Sequence, residues 1–588
     1  MSASTTGAAE TPGAYRPPVL GWDIDLQLSR NEGRAARPTP RARATAEELT
    51  RYPDAAPLAA DLAARHGVTP REVLVTAGGD DALLRCCLAT LAGAGGSPVA
   101  LMTGPTFEMI PRYVRQAGGE PVEVPWADGA FPTTAFLAAA RDLAGRGRPP
   151  RVAFVVSPNN PTGGVATAED LARIARALPE TLVVLDAAYG EFAAADLTPR
   201  ALELDNVVTV RTFSKAWGLA SARVGYLLGP PAVLARLAAV GNPYPVAGPS
   251  LELARGRLTT GRADLLDHVA RVGLERAALE RRLEELGATV ARPSEANFVL
   301  ARDLDPTWTT AAAASLGLAL RAFPDRRDLA DAVRVTLPAE EVAFARLVAT
   351  LEAALAPEAL LFDLDGVLAD VSGSYRRAIL DTAADFGVEL TPAELAAAKA
   401  AGGANDDWAL TRDLLAARGV DADLAEVTAR FEARYQGTDE QPGLWTTERA
   451  LVPDATWAAW AERLPLAVVT GRPRRDAQRF LADQGLADRV AVLVAREDAP
   501  LKPDPAPVST ALARLGVRRA WMLGDTPDDL VAARGAGVVP LGVVAPGTEA
   551  AAERATLAGA GAARVLDRTT DLTTLLDALP ARTREVRR

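Results

Sequence analysis

The chain has 588 residues, of which 49% are hydrophobic and 24% charged, the composition of a globular protein with several domain-sized cores. Its formal net charge of −11 argues against a basic face for nucleic acid or for an anionic membrane. No apolar run approaches the ~20 residues that a membrane-spanning helix needs, so we expect neither a nucleic-acid nor a membrane partner.

The cysteines and the N-terminus predict the compartment. Cys86 and Cys87, the only cysteines, are neighbours in an apolar, helix-like stretch and make poor disulfide partners. Residues 1–20 lack the charged and apolar regions of a secretory signal, and we expect a disordered tail there. These features predict a reduced, cytoplasmic protein. With only two histidines, His66 and His268, a cluster of histidine metal ligands is disfavoured.

Apolar runs alternate with helical patterns in the first half, which predicts an α/β domain with a mostly parallel sheet. From about Leu265 helical patterns return, with one further strand candidate at 288–300. This predicts a smaller subdomain, so that the first domain spans 21–355. The strand-like runs are REVLVTAGG (71–79), SPVALMTG (97–104), RVAFVVSPNN (151–160), TLVVLDAAYG (181–190) and NVVTVRTFSK (206–215).

Polar residues follow four of these runs, at the edge where open α/β sheets bind their ligands. Asp186 ends one run, Lys215 ends another, and Arg223 follows eight residues later. The stretch 76–80 ends the first run and opens a helix, whose free N–H groups suit a phosphate. Pyridoxal phosphate requires such a set: a lysine for covalent attachment, a carboxylate for its ring nitrogen, and anchors for its phosphate.

These stretches resemble the fold-type-I aminotransferases, and closely the histidinol-phosphate aminotransferases. The resemblance covers nearly all of residues 15–355, with SPNNPTG (157–163), DAAYGEF (186–192) and RTFSKAWGLASAR (211–223) among its motifs. It implies that Lys215 binds pyridoxal 5′-phosphate covalently and moves a proton, while Asp186 keeps the ring nitrogen protonated. It also implies a homodimer, with Tyr52 reaching in from a second subunit. The other implied cofactor contacts are Asn160 and Tyr189 to the ring hydroxyl, Phe107 to the ring face, and Gly79, Asp80, Ser214 and Arg223 to the phosphate.

The same resemblance indicates where the substrate binds. Arg321 and Arg334 match arginines that contact the acidic end of the substrate, and two converging guanidiniums suit a phosphate or a carboxylate. Two stretches depart from the family pattern: residues 31–34 read Asn-Glu-Gly-Arg instead of Asn-Glu-Asn-Pro, and residues 186–189 read Asp-Ala-Ala-Tyr instead of Asp-Glu-Ala-Tyr. These departures bear on the substrate rather than on the cofactor. Other pocket positions are matched by Tyr15, Asn31 and Tyr244.

The segment 351–370 joins two halves of the chain almost without a linker. EEVAFARLVATLEAAL (340–355) has the apolar spacing of a final amphipathic helix, and the run Ala359–Phe362 predicts a buried strand. Asp363 and Asp365 follow that strand. Because strand residues two apart point to the same side, both carboxylates can face one site.

In the second half, strand-like runs again end in polar residues, and a helical insertion of about 371–453 follows the first strand. This predicts a doubly wound α/β core with a helical cap, spanning 358–588. The runs are ALLFDLDG (359–366), LPLAVVTGRP (464–473), VAVLVAREDAPLKPDP (490–505) and AWMLGDTPDD (520–529).

The residues after these runs are suited to phosphate chemistry. Asp363 is placed to attack a phosphorus atom, and Asp365 to act as acid and base. Thr470 and Lys502 can bind phosphoryl oxygens. A carboxylate approaches an anionic phosphate only where charge is neutralised, and hard oxygen ligands suit Mg²⁺. The predicted Mg²⁺ ligands are Asp363, Asp365, Asp525 and Asp529.

The ordered set of motifs in 358 to about 570 resembles the haloacid dehalogenase superfamily, in its phosphatase branch with an α-helical cap after the first strand. The second aspartate, Asp365, favours phosphatases over dehalogenases within that superfamily. The glycine-rich segment 402–408 in the cap either contacts the leaving group or forms a surface turn.

Together the two resemblances imply a bifunctional enzyme of small-molecule metabolism. Glutamate-dependent transamination would give histidinol phosphate, and a Mg²⁺-dependent phosphatase would hydrolyse that product. Three alternatives remain: the same two reactions on another phosphorylated amino or keto compound, an amino-acid-phosphate decarboxylase joined to a phosphatase, and an aminotransferase with a non-catalytic C-terminal module.

Overall fold

The computed structural model describes residues 23–39, 41, 49–402, 406–438 and 441–579. The expected tail at 1–20, which includes Tyr15, lies outside these residues. Within them, no helix combines the length and the hydropathy that crossing a bilayer requires.

A mixed sheet of seven strands forms the centre of the first half of the described chain. All five predicted runs form strands, and four of them pair in parallel with one another. Two strands were not predicted: Glu120–Pro125 lies at the edge, where its two prolines are tolerated, and Gly225–Leu228 runs antiparallel to both neighbours. In order across the sheet, the strands are Val73–Thr76, Gly225–Leu228, Val207–Thr212, Leu182–Asp186, Pro150–Val156, Val99–Gly104 and Glu120–Pro125.

Both faces of this sheet are covered, and the strands are apolar for that reason. In the strand Pro150–Val156, Val152, Phe154 and Val156 pack into one apolar cluster, while Ala153 and Val155 pack into another on the opposite face. The α-helices of this half are Ala56–His66, Gly78–Leu91, Met109–Gln116, Thr133–Gly145, Ala168–Ala177, Thr198–Ala201, Pro231–Ala239, Gly248–Thr260, Arg262–Glu285, Pro306–Ser315 and Glu341–Leu355.

A second, antiparallel sheet of four strands follows. The prediction of one strand in 288–300 was wrong, because this segment contains two antiparallel strands, Thr289–Val290 and part of Phe298–Arg302. Pro293, between them, cannot donate a hydrogen bond to a ladder. In order, the strands are Arg321–Ala322, Val333–Thr336, Phe298–Arg302 and Thr289–Val290. Leu26–Gln27 pairs separately, in parallel, with Leu318–Ala319.

The second half is built on a parallel sheet of six described strands, with Ala359–Phe362 between Leu466–Val469 and Ala520–Gly524. The predicted strands are present. Val539–Val543 and Arg564–Leu566 are additional, and the first of these contains a proline and a glycine, which weaken its strand signal. In order, the strands are Val490–Val494, Leu466–Val469, Ala359–Phe362, Ala520–Gly524, Val539–Val543 and Arg564–Leu566.

Helices fill the insertion after the first strand of this sheet, as predicted. A short antiparallel pair, Ala369–Asp370 with Arg449–Ala450, closes its base. The helices of the insertion are Tyr375–Asp385, Pro392–Ala400, Asp407–Ala416 and Leu424–Gln436. The remaining α-helices are Asp454–Arg463, Arg474–Asp483, Ala506–Leu515, Pro527–Gly535, Ala550–Gly559 and Leu572–Asp577.

The two halves share a packed interface. Trp308 and Trp521 meet edge to face with ring centroids 4.7 Å apart. Their indole N–H groups donate to consecutive carbonyls of the helix Glu341–Leu355, Trp521 to Ala353 over 2.8 Å and Trp308 to Ala354 over 3.0 Å. The last helix of the first half is therefore also a support for the second.

Candidate active sites

A cavity of about 640 Å³ lies at the carboxyl ends of the parallel strands of the first half. Asp186 ends one strand, and Asn160 and Lys215 follow the two strands beside it, so the sheet itself brings them together. Most of the residues predicted for the cofactor and the substrate line this cavity: Asn31, Gly79, Asp80, Phe107, Asn160, Asp186, Tyr189, Ser214, Lys215, Arg223, Arg321 and Arg334.

The phosphate-binding prediction corresponds to one end of this cavity, where the helix Gly78–Leu91 begins. Arg223 donates to the hydroxyl of Ser214 over 3.3 Å and to a carboxylate oxygen of Asp80 over 3.0 Å. Gly78 has φ +79°, and a Cβ on it would lie 2.8 Å from an Arg223 nitrogen. A glycine, a helix N-terminus and a guanidinium thus meet at this end of the cavity and form a cradle of N–H donors that suits a phosphate.

Asp186 lies beneath the cavity with 4% of its surface exposed, and it accepts the backbone N–H of Ala188 over 3.1 Å. Burial raises the pKa of Asp186 to about 6, because water is excluded from its charged form. A cationic ring nitrogen would offset this cost. The residues therefore fit a protonated pyridine ring of pyridoxal phosphate.

Lys215 projects into the same cavity. Its Nζ donates to the carbonyl of Arg30 over 3.2 Å and lies 5.6 Å from the centroid of the Tyr189 ring. The Tyr189 hydroxyl accepts from Asn31 Nδ2 over 3.0 Å, and the Asn31 Oδ1 accepts from the Thr336 hydroxyl over 2.8 Å. Thr336 was not predicted from the sequence, yet it fixes which way the Asn31 amide faces.

The departure at residues 31–34 has a local structural reason. Gly33 lies against the main chain of Lys215, and a Cβ at this position would be 2.2 Å from the Lys215 carbonyl oxygen. Arg34 points elsewhere and pairs with Asp264 at 2.6 Å and Asp267 at 2.7 Å. A larger residue at 33 would push against the backbone that carries the lysine.

The two predicted substrate arginines are opposite each other on neighbouring strands. Arg334 donates to Asn160 Oδ1 over 2.6 Å and to the Ser29 carbonyl over 2.7 Å. Arg321 donates from one nitrogen to both carboxylate oxygens of Glu108, at 3.0 and 3.1 Å. Glu108 was not predicted, although it also lines the cavity.

Of the predicted residues that the structure describes, two do not line the cavity. Tyr52 and Tyr244 stack on each other with ring centroids 4.4 Å apart, and 79% and 48% of their surfaces are exposed. The structure of one chain thus leaves a tyrosine pair on its surface. A second subunit is needed for Tyr52 to take the role that the resemblance implies.

A second group of polar residues lies at the carboxyl ends of the strands of the second half. Asp363 follows the central strand, Asp525 follows its neighbour, and Asp529 lies in the first turn of the helix Pro527–Gly535. Carboxylate oxygens of these three residues lie within 4.8 Å of one another. Burial raises the pKa of Asp363 to about 7, and the charge of Asp529 adds to the effect. A divalent cation would relieve this crowding, so the set fits Mg²⁺.

Lys502 partly balances these carboxylates. Its Nζ lies 2.5 Å from Asp363 Oδ1, contacts Asp529 Oδ1, and donates to the Val469 carbonyl over 3.2 Å. The Thr470 hydroxyl accepts the backbone N–H of Arg472 over 3.1 Å. The predicted lysine therefore contacts the predicted nucleophile, and Thr470 follows the strand that pairs with the strand before Asp363.

Asp365 faces the same cavity as Asp363, but its carboxylate is not part of the three-carboxylate group. Its Oδ1 accepts from Arg472 Nε over 2.6 Å. Arg472, whose side chain is 1% exposed, also pairs with Glu448 at 2.9 Å. Arg472 was not predicted, and its hydrogen bond holds the Asp365 carboxylate apart from the other three predicted metal ligands.

The insertion supplies the other wall of this site. Lys399 pairs with Asp407 at 2.9 Å, and the guanidinium of Arg496 lies 4.2 Å from the ring centroid of Trp408; all four line the cavity beside Asp363. The predicted segment 402–408 thus contributes Asp407 and Trp408, while residues 403–405 lie outside the described chain. A neighbouring cavity of about 680 Å³ shares Lys399 and has room for an organic group.

Two family models match the chain. The model described as aminotransferase class I and II matches residues 26–340, and the model described as haloacid dehalogenase-like hydrolase matches residues 357–537. The helix Glu341–Leu355 lies between the two matches, so each of the two sites described above falls within one match.

Similar proteins have different names. An aromatic amino acid aminotransferase of Mycobacteroides abscessus is 35% identical over 57% of this chain and 94% of its own length. A histidinol-phosphate aminotransferase of Cereibacter sphaeroides is 35% identical over 49% of this chain and 79% of its own length. An imidazoleglycerol-phosphate dehydratase of Phytophthora nicotianae is 45% identical over 38% of this chain, which spans 53% of that relative.

Among solved structures, histidinol-phosphate aminotransferase from Sinorhizobium meliloti in complex with pyridoxal-5′-phosphate covers 56% of this chain and 90% of its own, with 24% identity and a TM-score of 0.49. The chain belongs to the class I and II aminotransferases and carries, after that region, a haloacid dehalogenase-like hydrolase region.

Proposed function

We propose that the protein transaminates a phosphorylated keto compound to an amino phosphate and then hydrolyses the phosphate ester. One observation carries this proposal: a lysine cavity suited to pyridoxal phosphate and an aspartate–lysine site suited to phosphate hydrolysis lie on one chain. Relatives named histidinol-phosphate aminotransferase and imidazoleglycerol-phosphate dehydratase, the second aligned with the hydrolase region, favour histidinol phosphate as the shared compound.

In the first reaction, bound pyridoxal phosphate would supply an electron sink for the substrate carbanion. Lys215 Nζ would take and return the proton of the substrate carbon, and Asp186 would keep the ring nitrogen protonated. Arg334, held by Asn160, would bind the anionic group next to that carbon. The cradle of Gly79, Asp80, Ser214 and Arg223 would hold the cofactor phosphate, with Phe107 on the ring face and Tyr189 at the ring hydroxyl.

The exposed stack of Tyr52 on Tyr244 supports a homodimer. Two large aromatic side chains on a surface are a frequent feature of protein interfaces. In a dimer, Tyr52 would complete the cofactor site of the partner, and Tyr244 would extend its substrate pocket.

In the second reaction, an oxygen of Asp363 would bond to phosphorus while the bond from phosphorus to the ester oxygen breaks. Asp365 would give a proton to the leaving oxygen and later take one from the water that releases phosphate. Asp363, Asp525 and Asp529 would hold Mg²⁺, and Lys502 and Thr470 would bind phosphoryl oxygens. Arg472 would keep the Asp365 carboxylate turned toward the leaving oxygen.

A second candidate substrate is an aromatic amino acid. The relative from Mycobacteroides abscessus is named an aromatic amino acid aminotransferase. In addition, Glu108 pairs with Arg321, which lowers the attraction of that part of the cavity for an anion.

Separate assays of two variants test the proposal. Lys215→Ala should lose the visible absorption of bound cofactor and transamination, but keep phosphate release. Asp363→Asn should lose phosphate release and keep transamination, whereas the exposed Asp488→Asn should keep both. Phosphate release by purified Asp363→Asn at the wild-type rate would refute the role of Asp363, and full, amine-resistant cofactor absorption in Lys215→Ala would refute that of Lys215.

A further inference from the structure

We propose that Glu108 is a specificity-determining residue: it is the built-in counter-ion of Arg321 and sets the preference between substrates with an anionic and an uncharged far end. This inference rests on the proposed transamination. Glu108 directly follows Phe107, and its carboxylate receives both hydrogen bonds from one Arg321 nitrogen, at 3.0 and 3.1 Å, inside the cavity that contains Lys215.

The two partners differ in their freedom to move. The Arg321 side chain is 13% exposed and belongs to a strand paired with Val333–Thr336, whereas the Glu108 side chain is 38% exposed. Glu108 precedes the helix Met109–Gln116, so its side chain can turn toward solvent without a change in the sheet. When the pair opens, Glu108 is therefore the partner that leaves.

The neighbouring arginine is held differently. Arg334 lies opposite Arg321 on the next strand and donates to neutral oxygens, the amide of Asn160 and the carbonyl of Ser29. The charge of Arg321 is already offset by a carboxylate inside the cavity, while the proposed reaction assigns Arg334 to the anionic group that all substrates share.

The pair of Glu108 and Arg321 would affect the binding of two kinds of substrate in opposite ways. A far carboxylate or phosphate would have to displace Glu108 before it could bind Arg321, so part of its attraction would be lost. An uncharged ring would leave the pair closed and would not face a lone, partly buried cation. Glu108 would therefore lower the efficiency of anionic substrates relative to aromatic ones.

The test uses the holoenzyme and measures single-turnover reactions with glutamate and with phenylalanine through the absorbance of the bound cofactor. In Glu108→Gln, the ratio of the two efficiencies should shift toward glutamate about 10-fold or more, through tighter glutamate binding and weaker phenylalanine binding, with little change in the limiting rate for glutamate. Glu108→Asp keeps the charge and should shift the ratio less.

Glu32→Gln is the matched control. Glu32 lines the same cavity and carries the same charge, but the described residues contain no hydrogen bond or ion pair between it and Arg321. An unchanged ratio in Glu108→Gln, or an equal shift in Glu32→Gln, would refute the inference and leave transamination standing. If wild-type holoenzyme reacts with neither amino acid, the transamination proposal falls as well.

Discussion

Trp521, in the sheet of the second half, donates its indole N–H to the carbonyl oxygen of Ala353, in the last helix of the first half, over 2.8 Å. The bond is buried, and the Trp308 ring packs against Trp521 at the same place. The hydrolase region therefore packs against the aminotransferase region through a buried interface.

This contact predicts that the two regions stabilise each other. Trp521→Phe should remove the hydrogen bond, leave the Ala353 carbonyl without this donor, and cost about 1–2 kcal/mol of stability. The thermal release of the cofactor from the first half should then occur at a lower temperature. Trp460→Phe removes an indole hydrogen bond to Thr573 within the second half and should leave that temperature unchanged. If Trp521→Phe also left the release temperature unchanged, the two halves would unfold independently.

The burial of Asp186 predicts that the stability of the cofactor-free protein depends on pH. Its pKa is raised to about 6 by burial, above the ~3.9 of an unfolded chain, so its contribution to stability is complete below pH ~4 and is lost as the pH rises through 6. The loss corresponds to about 2–3 kcal/mol for two pKa units. Asp186→Asn should therefore stabilise the cofactor-free protein at pH 7.5 relative to wild type, and much less at pH 4.5.

Thermal unfolding at both pH values measures this difference. The exposed Asp205→Asn should not reproduce it. If Asp186→Asn changed the unfolding temperature equally at pH 4.5 and pH 7.5, position 186 would not hold a buried carboxylate that ionises between these pH values.

We predict that replacing Arg472 lowers phosphatase activity, while the carboxylates proposed to bind the metal stay in place. Because it holds the Asp365 carboxylate through Nε at 2.6 Å, Arg472→Lys should release the proposed acid and base and lower phosphatase kcat about 100-fold, within the range for general acid–base catalysis. The affinity for Mg²⁺ should change little. The control is Arg479→Lys, since Arg479 pairs with Asp476 instead. Equal losses in both variants would point to a general weakening of this region.

The sequence was most informative where chemistry and strand ends coincide. Asp186, Lys215 and Asp363 could be predicted as site residues because each follows an apolar run whose place in a sheet is dictated by burial. The edge strand Glu120–Pro125 was missed for the opposite reason, since half-exposed positions with glutamates and prolines carry no strand pattern.

Ion pairs between distant residues could not be predicted. Glu108 and Arg321 are 213 residues apart and Asp365 and Arg472 are 107 apart, so neither pair leaves a local signal. Asp365 shows the consequence. Its position beside Asp363 suggested a metal ligand, but only the fold shows that an arginine receives its carboxylate.

One measurement tests the central claim of two consecutive reactions most directly. Holoenzyme is incubated with imidazole-acetol phosphate, glutamate and Mg²⁺, and the products are identified by mass. The account predicts histidinol, 2-oxoglutarate and phosphate in equal amounts from wild type, accumulation of histidinol phosphate in Asp363→Asn, and no amino product in Lys215→Ala. Wild-type enzyme that stops at the amino phosphate, or that leaves the keto phosphate untouched while it transaminates aromatic amino acids, would contradict the account.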